Sequence, residues 1–178
     1  MNINIYFSFI LVTSLLSFSG CTEEKKPAQK KILLTTQLKE TLVDVNKDLA
    51  KSEDDEINAF VERYNWDMIK TATGLRYLIY KKGQGPSPHK GNIVKLNYKL
   101  KLINGNEVYN SEKDGPKMFE MGKAQVETGL EEAMHYMNKG SKAKVIIPSH
   151  LGFGLVGDRK KIPLKATLIY DVEVVDIK

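Results

Sequence analysis

A single cysteine, Cys21, is all the thiol chemistry this 178-residue chain possesses. No intramolecular disulfide can form, and no thiolate metal cluster can be assembled. Histidine is almost as scarce: His89, His135 and His150 are scattered, and none has a second His or Cys three or four residues away. No metal and no cofactor is therefore expected. Also lacking is any run of about 20 apolar residues, the length a bilayer-spanning helix needs. The apolar stretch at residues 3–18 is shorter and is interrupted by Asn, Ser and Thr.

What is present is ordinary for one globular domain plus an extra segment: 42% hydrophobic and 28% charged residues, with a formal charge of +5. The charge is unevenly spread. Residues 22–57 carry seven Lys against nine Asp or Glu, and residues 71–178 carry eighteen Lys or Arg against eleven acids. A basic domain raises the question of nucleic acid. Here the lysines Lys95, Lys99 and Lys101 alternate with apolar residues, the pattern of a solvated sheet face, so no nucleic-acid partner is expected.

The apolar stretch ends in Phe18-Ser19-Gly20-Cys21. Small residues at that point suit a processing site. The four residues resemble the lipobox of bacterial lipoproteins, although the usual Leu is Phe18 and no Lys or Arg precedes the apolar stretch. The resemblance implies residues 1–21 as a signal peptide, lipidation at Cys21, attachment to a membrane through that lipid, and a location in the cell envelope.

Residues 22–70 read as a charged tether with Pro27 followed by helix. Leu34, Leu38, Leu42, Val45 and Leu49 recur every three or four residues, and Ile57, Phe60, Val61 and Tyr64 repeat the spacing. Ser52, followed by four acids, is the expected N-cap of a second helix. These apolar faces suit packing on the chain's own domain or, as a second option, a homodimer.

From Trp66 the period falls from 3.6 to 2. Leu75, Tyr77 and Ile79 alternate with Arg76, Leu78 and Tyr80, and Val94, Leu96, Tyr98, Leu100 and Leu102 alternate with Lys95, Asn97, Lys99 and Lys101. Asn104-Gly105 signals a two-residue type I′ hairpin. Further strands are expected at residues 118–121, 143–147 and 166–174. Between the first two of these lies one short helix, with Thr128 and Glu131 spaced as a capping box. The pattern predicts an α+β domain at residues 71–178: an antiparallel sheet with one short helix packed across it, preceded by one or two N-terminal helices.

Several words of this domain, taken together, are familiar. Asn97-Tyr98, Pro116 to Gly122, Val126-Glu127-Thr128-Gly129-Leu130-Glu131-Glu132, Gly152-Phe153-Gly154 and Ile162 to Leu168 resemble the FKBP-type peptidyl-prolyl isomerases over about 107 residues. The anchor and helical N-terminus also resemble the gliding-motility-associated FKBP lipoproteins. The resemblance implies isomerisation of Xaa-Pro bonds in client polypeptides, assisting the folding of envelope or surface proteins. The alternative is a non-catalytic chaperone or peptide-binding module in the same fold.

The resemblance also places Tyr98, Phe119, Val126, Leu130, Phe153, Ile162 and Tyr170 on pocket-lining positions, and Glu127 where a backbone N–H grips the substrate. There are departures. Val108-Tyr109 stands where the family has Phe-Asp, which removes a ring and a carboxylate from the pocket wall. Leu130 replaces a Trp, Phe153 lacks a Tyr hydroxyl, and Lys117 occupies an apolar rim position. Gly152 to Gly157 matches a dinucleotide-binding glycine pattern, but Pro163 and a strand follow where that fold needs a helix.

Overall fold

The computed structural model describes the backbone of residues 27–178 and side chains from residue 38 onward. Cys21 and the apolar leader lie outside the described residues. The chain divides into two units, Met1–Val43 and Asp44–Lys178, and the second carries the sheet.

One N-terminal helix, α1 (Pro27–Arg63), precedes the sheet, the lower of the one or two expected. Ser52 is an interior residue of it, because neither Gly nor Pro interrupts residues 28–63 and nothing ends the ladder before the acidic run. Two of the four acids expected to face the helix dipole, Glu53 and Asp54, are engaged instead by strands of the sheet and the segments flanking them. Glu53 accepts hydrogen bonds from the Ser149 N–H (2.6 Å), the Ser149 hydroxyl (2.8 Å) and the Thr167 hydroxyl (2.7 Å). Asp54 accepts from Arg76 (2.7 Å) and Lys70 (2.8 Å).

Seven antiparallel strands follow: β1 (Ile69–Lys70), β2 (Arg76–Lys81), β3 (Ile93–Leu102), β4 (Glu107–Asn110), β5 (Lys117–Glu120), β6 (Lys142–Ile147) and β7 (Leu168–Ile177). They are ordered β1-β2-β6-β7-β3-β4, with β5 also paired to β3. A single turn, α2 (Ser111–Asp114), follows β4, and α3 (Thr128–Met134) crosses from β5 to β6.

Alternation along β3 is strict: Val94, Leu96, Tyr98, Leu100 and Leu102 are buried on one face. Register carries that face across β7 through Leu168, Tyr170, Val172 and Val174. The helix α3 covers it with Leu130, Ala133 and Met134. Leu130 and Met134 are fully buried, worth about 1.5–3 kcal/mol each in removed apolar surface. Gly129 lets α3 approach this closely, since a Cβ there would stand 2.5 Å from Ile147 Cγ2.

The opposite face is apolar as well. Ile146 and Ile169 pair across β6 and β7 and meet Ile57 and Phe60 of α1. Val61, Trp66 and Met68 close the edge of this cluster. Leu38, Leu42, Val45 and Leu49, further toward the start of α1, are exposed.

Two local expectations are corrected. The β3–β4 connection is a three-residue loop, with the Gly105 N–H donating to the Leu102 carbonyl and the Leu102 N–H to the Asn106 carbonyl (both 2.9 Å). Only Gly105 takes positive φ (89°), so the loop is a type I turn with a glycine bulge, not a type I′ turn. Nor does Thr128 cap α3. It is the first helical residue, Glu127 precedes it without a side-chain cap, and Glu131 accepts from the Gly122 N–H instead.

Candidate active site

At one end of the α3-covered face, the sheet and the loops after β5 and β6 leave a pocket of about 270 Å³. Tyr98 and Leu100 come from β3, Tyr109 from β4, Lys117 from β5 and Glu127 from the residue before α3. Phe153, Asp158 and Lys160 come from the loop that follows β6. Strand alternation aims Tyr98 and Leu100 inward; the loop residues are brought in by their own hydrogen bonds.

Of the eight residues marked from sequence, Tyr98, Glu127 and Phe153 line the open pocket. Phe119, Leu130, Ile162 and Tyr170 are buried in the core cluster that also holds Tyr98 and Leu100, and Val126 packs against that cluster. The Tyr98 and Tyr170 rings lie 6.0 Å apart, centroid to centroid.

The polar chemistry was the part hidden from sequence. Tyr170 donates its hydroxyl to Glu127 Oε1 (2.8 Å), and Lys117 Nζ lies 3.2 Å from both Glu127 oxygens and from the Tyr170 hydroxyl. The same ammonium sits over the Tyr98 and Tyr170 rings, at 5.4 and 5.5 Å from their centroids. Glu127 is 7% exposed, and this pairing is what makes its burial tolerable. Its backbone N–H has no acceptor among the described residues. Burial, and then the adjacent Glu127 carboxylate, push the Tyr170 phenol well above its ordinary value, so it stays a donor. Burial, then Asp114 and Glu127, raise Tyr98 too.

A second pairing holds the loop. Tyr109 donates to Asp158 Oδ2 (2.5 Å), while Asp158 Oδ1 accepts from the Lys160 and Ile162 N–H groups (2.8 Å each). The hydrogen bond to Asp158, and then burial, push Tyr109 up to about 12. Burial alone would raise Asp158; the hydrogen bonds from Tyr109 and the loop amides outweigh it and hold the carboxyl below its usual value. The carboxylate expected to be missing from the wall, with Tyr in place of Asp at position 109, is therefore supplied by the facing loop. Residues 152–157 open no helix; Gly154 and Gly157 take positive φ in a chain of turns.

What this arrangement offers chemically is two aromatic walls, an aliphatic floor, a free backbone donor and protonated phenols. Among the described residues that line it there is no Ser, Thr, Cys or His.

Comparison with known proteins comes down on one family. Residues 85–175 match the model of the FKBP-type peptidyl-prolyl cis-trans isomerases. A probable FKBP-type isomerase FkpA of Neisseria meningitidis serogroup B is 36% identical over 159 residues, 87% of this chain and 57% of that protein. FkpA of Escherichia coli K12 is 38% identical over 112 residues, 62% of this chain and 40% of that protein. The crystal structure of FkpA from Escherichia coli superposes with a TM-score of 0.61 at 31% identity, covering 86% of this chain and 74% of that one. AtFKBP13 superposes with a TM-score of 0.60 at 27% identity, over 63% of this chain and 99% of that one. The chain spans about half the length of the curated relatives it matches.

Proposed function

Because the chain belongs to the FKBP-type peptidyl-prolyl cis-trans isomerase family, we propose that it catalyses cis–trans exchange of Xaa-Pro bonds in client polypeptides and so assists their folding. The observation that carries this reading is the pocket itself: aromatic Tyr98 and Phe153 facing a cavity of about 270 Å³, beside the unpaired N–H of Glu127.

An Xaa-Pro bond has cis and trans forms within about 1 kcal/mol of each other, yet exchanges over tens to hundreds of seconds. Rotation is slow because it breaks amide resonance. The twisted amide has lost its charge separation, so an apolar cup favours it over the planar ground state. Tyr98 and Phe153 enclose the proline ring. Phe119, Val126, Leu130, Ile162 and Tyr170 hold those walls rigid from the core. The Glu127 N–H grips the flanking carbonyl. No nucleophile, metal or cofactor is required.

The test is proline-limited refolding of a protein substrate. Acceleration proportional to enzyme concentration is expected, weaker than that of an isomerase with a wholly apolar pocket. No acceleration above the uncatalysed rate, even at high enzyme concentration, would replace this reading with a non-catalytic peptide-binding chaperone.

Lipidation at Cys21 belongs to the same proposal, with the domain held on a membrane of the cell envelope and its clients among envelope or surface proteins. Among the described residues no helix is long and apolar enough to cross a membrane. Acyl chains contribute about 0.8 kcal/mol per buried CH₂ and would anchor the chain without one. Membrane fractionation checks it: Cys21→Ser should release the protein or leave it unprocessed, and equal retention of a processed mutant contradicts the anchor. A homodimer through the exposed Leu38, Leu42, Val45 and Leu49 stripe is the second arrangement those residues allow, and sedimentation equilibrium decides it.

A further inference from the structure

Two lysines and two carboxylates line the candidate pocket, so their formal charges cancel. Their availability to a ligand does not. Both Glu127 oxygens are engaged, by Tyr170 and Lys117. Both Asp158 oxygens are engaged, by Tyr109 and by two loop amides. Three of the roughly four acceptor positions of each carboxylate are thus taken before a chain arrives.

The cations differ. The Lys160 side chain is exposed, lines the pocket and has no partner among the described residues. Lys161 Nζ lies 4.7 Å from the centre of the Tyr109 ring at the same wall. Lys117, with its side chain 24% accessible, reaches in from β5 but is held by Glu127 and the Tyr170 hydroxyl. Arg159 and Lys165 extend the same exposed loop, on which Asp158 is the sole acid between Gly157 and Lys165. A peptide entering the pocket therefore meets ammonium groups at the rim and finds the carboxylates already bonded.

We propose that, among charged neighbours of the proline, the pocket favours Asp or Glu over Lys or Arg, a discrimination made by Lys160 at the pocket mouth. The inference rests on the isomerase reading of this pocket and adds a substrate class to it. An acidic flanking side chain takes an ion pair with Lys160, whereas a basic one meets like charge from Lys160 and Lys161. Such rim pairs are solvent-screened, so the preference is moderate and falls with salt.

The experiment uses the full chain and short peptides of the form Ala-Xaa-Pro-Phe and Ala-Leu-Pro-Xaa, with Xaa as Glu, Leu or Lys. Cis–trans exchange is read by NMR without a coupled protease, and binding by chemical-shift titration of the same samples. At low salt the Glu peptide should exceed the Lys peptide at one of the two positions by about fivefold, in kcat/KM and in affinity. About 0.5 M salt should reduce the ratio toward one. Lys160→Gln, an exposed change that leaves the core alone, should lower the Glu-to-Lys ratio at least twofold. If no peptide is turned over, the isomerase reading fails, and the ratio of binding constants still decides the selectivity. A Glu-to-Lys ratio near one at both positions, or one that Lys160→Gln and salt leave unchanged, overturns the proposal.

Discussion

The two faces of the one sheet are built from alternate residues of the same strands, yet they end in different states. On the face under α3, apolar side chains interdigitate everywhere except at the open end, where Tyr98 and Phe153 border an unfilled pocket. On the other face, α1 packs directly on the sheet: Ile57 and Phe60 cover Ile146 and Ile169, and Phe60, Tyr64 and Trp66 meet tilted or edge-on at centroid distances of 4.5–5.5 Å, beside a cavity of about 260 Å³ that Lys99, Lys101 and Lys144 also line. Polar groups follow suit. Behind the sheet Arg76, 3% exposed, reaches Asp54 and Asn58 of the helix (2.7 and 2.6 Å) and fastens one element to another. In front, Lys117, Glu127 and Tyr170 pair around a space. The first arrangement maximises burial; the second gives up burial to keep a wall standing beside a cavity.

The largest expected effect strips one face and spares the other. A fragment of residues 71–178 loses Ile57 and Phe60, each worth about 1.5–3 kcal/mol by area. It should still unfold cooperatively in urea, with stability lower by about 4 kcal/mol, and should keep its isomerase activity below the transition. A fragment with exchange-broadened NMR signals would show that the two faces are one inseparable core.

Breaking a single tie behind the sheet comes next. Asp54→Ala leaves the Arg76 guanidinium to Asn58 and the Gly74 carbonyl. Loss of about 2 kcal/mol is expected, less than for a fully buried pair because Asp54 is partly exposed. Equilibrium unfolding gives the loss, and refolding catalysis should not change.

On the pocket side, Tyr109→Phe removes the hydrogen bond to Asp158 and should cost about 1 kcal/mol. Its larger consequence is a loosened loop and slower catalysis. The pair also predicts pH dependence. Because the folded Tyr109 is raised to about 12, its stabilising contribution is complete below the ordinary phenol value near 10 and is lost as pH rises through 12. Asp158 and Asp54 are both lowered, so theirs is complete above about pH 4 and is lost as pH falls through their depressed values. Stability curves for wild type and Tyr109→Phe should converge above pH 12. Curves that stay parallel would remove Asp158 as the partner.

The smallest effect is a gain. Phe153→Tyr adds a hydroxyl at the pocket wall, and one hydrogen bond to a bound chain, about 0.5–1.5 kcal/mol, corresponds to a few-fold in rate. Steady-state kinetics on an Xaa-Pro peptide measure it, and a lower kcat/KM would mean that the added hydroxyl finds no partner on the bound chain.

Sequence made the front of the sheet readable and left the back obscure, for a physical reason. Period-two alternation in β3 and β7 reports burial locally, so Tyr98, Leu100 and Tyr170 could be placed inside without knowing their partners. Arg76 sits where alternation implied solvent; its partner Asp54 is 22 residues away on another element, and no local pattern reports such a pair. Glu53 is further still from Thr167, by 114 residues. The same limit hid the Lys117–Glu127–Tyr170 and Tyr109–Asp158 pairings. Each member was visible as an unexpected polar residue, and only the fold revealed that they answer one another. Ser52 shows the converse error: a local N-cap signal overruled because α1 could continue and dock.

The central claim, that catalysis resides in the pocket of the α3-covered face, is tested most directly by cis–trans exchange of one Xaa-Pro peptide under two variants of the intact chain. Phe153→Ala removes a wall of the pocket, and Lys144→Ala removes a cation stacked on Trp66 behind the sheet. The account predicts that wild type and Lys144→Ala accelerate exchange equally and that Phe153→Ala reduces acceleration at least tenfold, about 1.4 kcal/mol in the barrier. Undiminished acceleration by Phe153→Ala, or an equal loss in both variants, would contradict it.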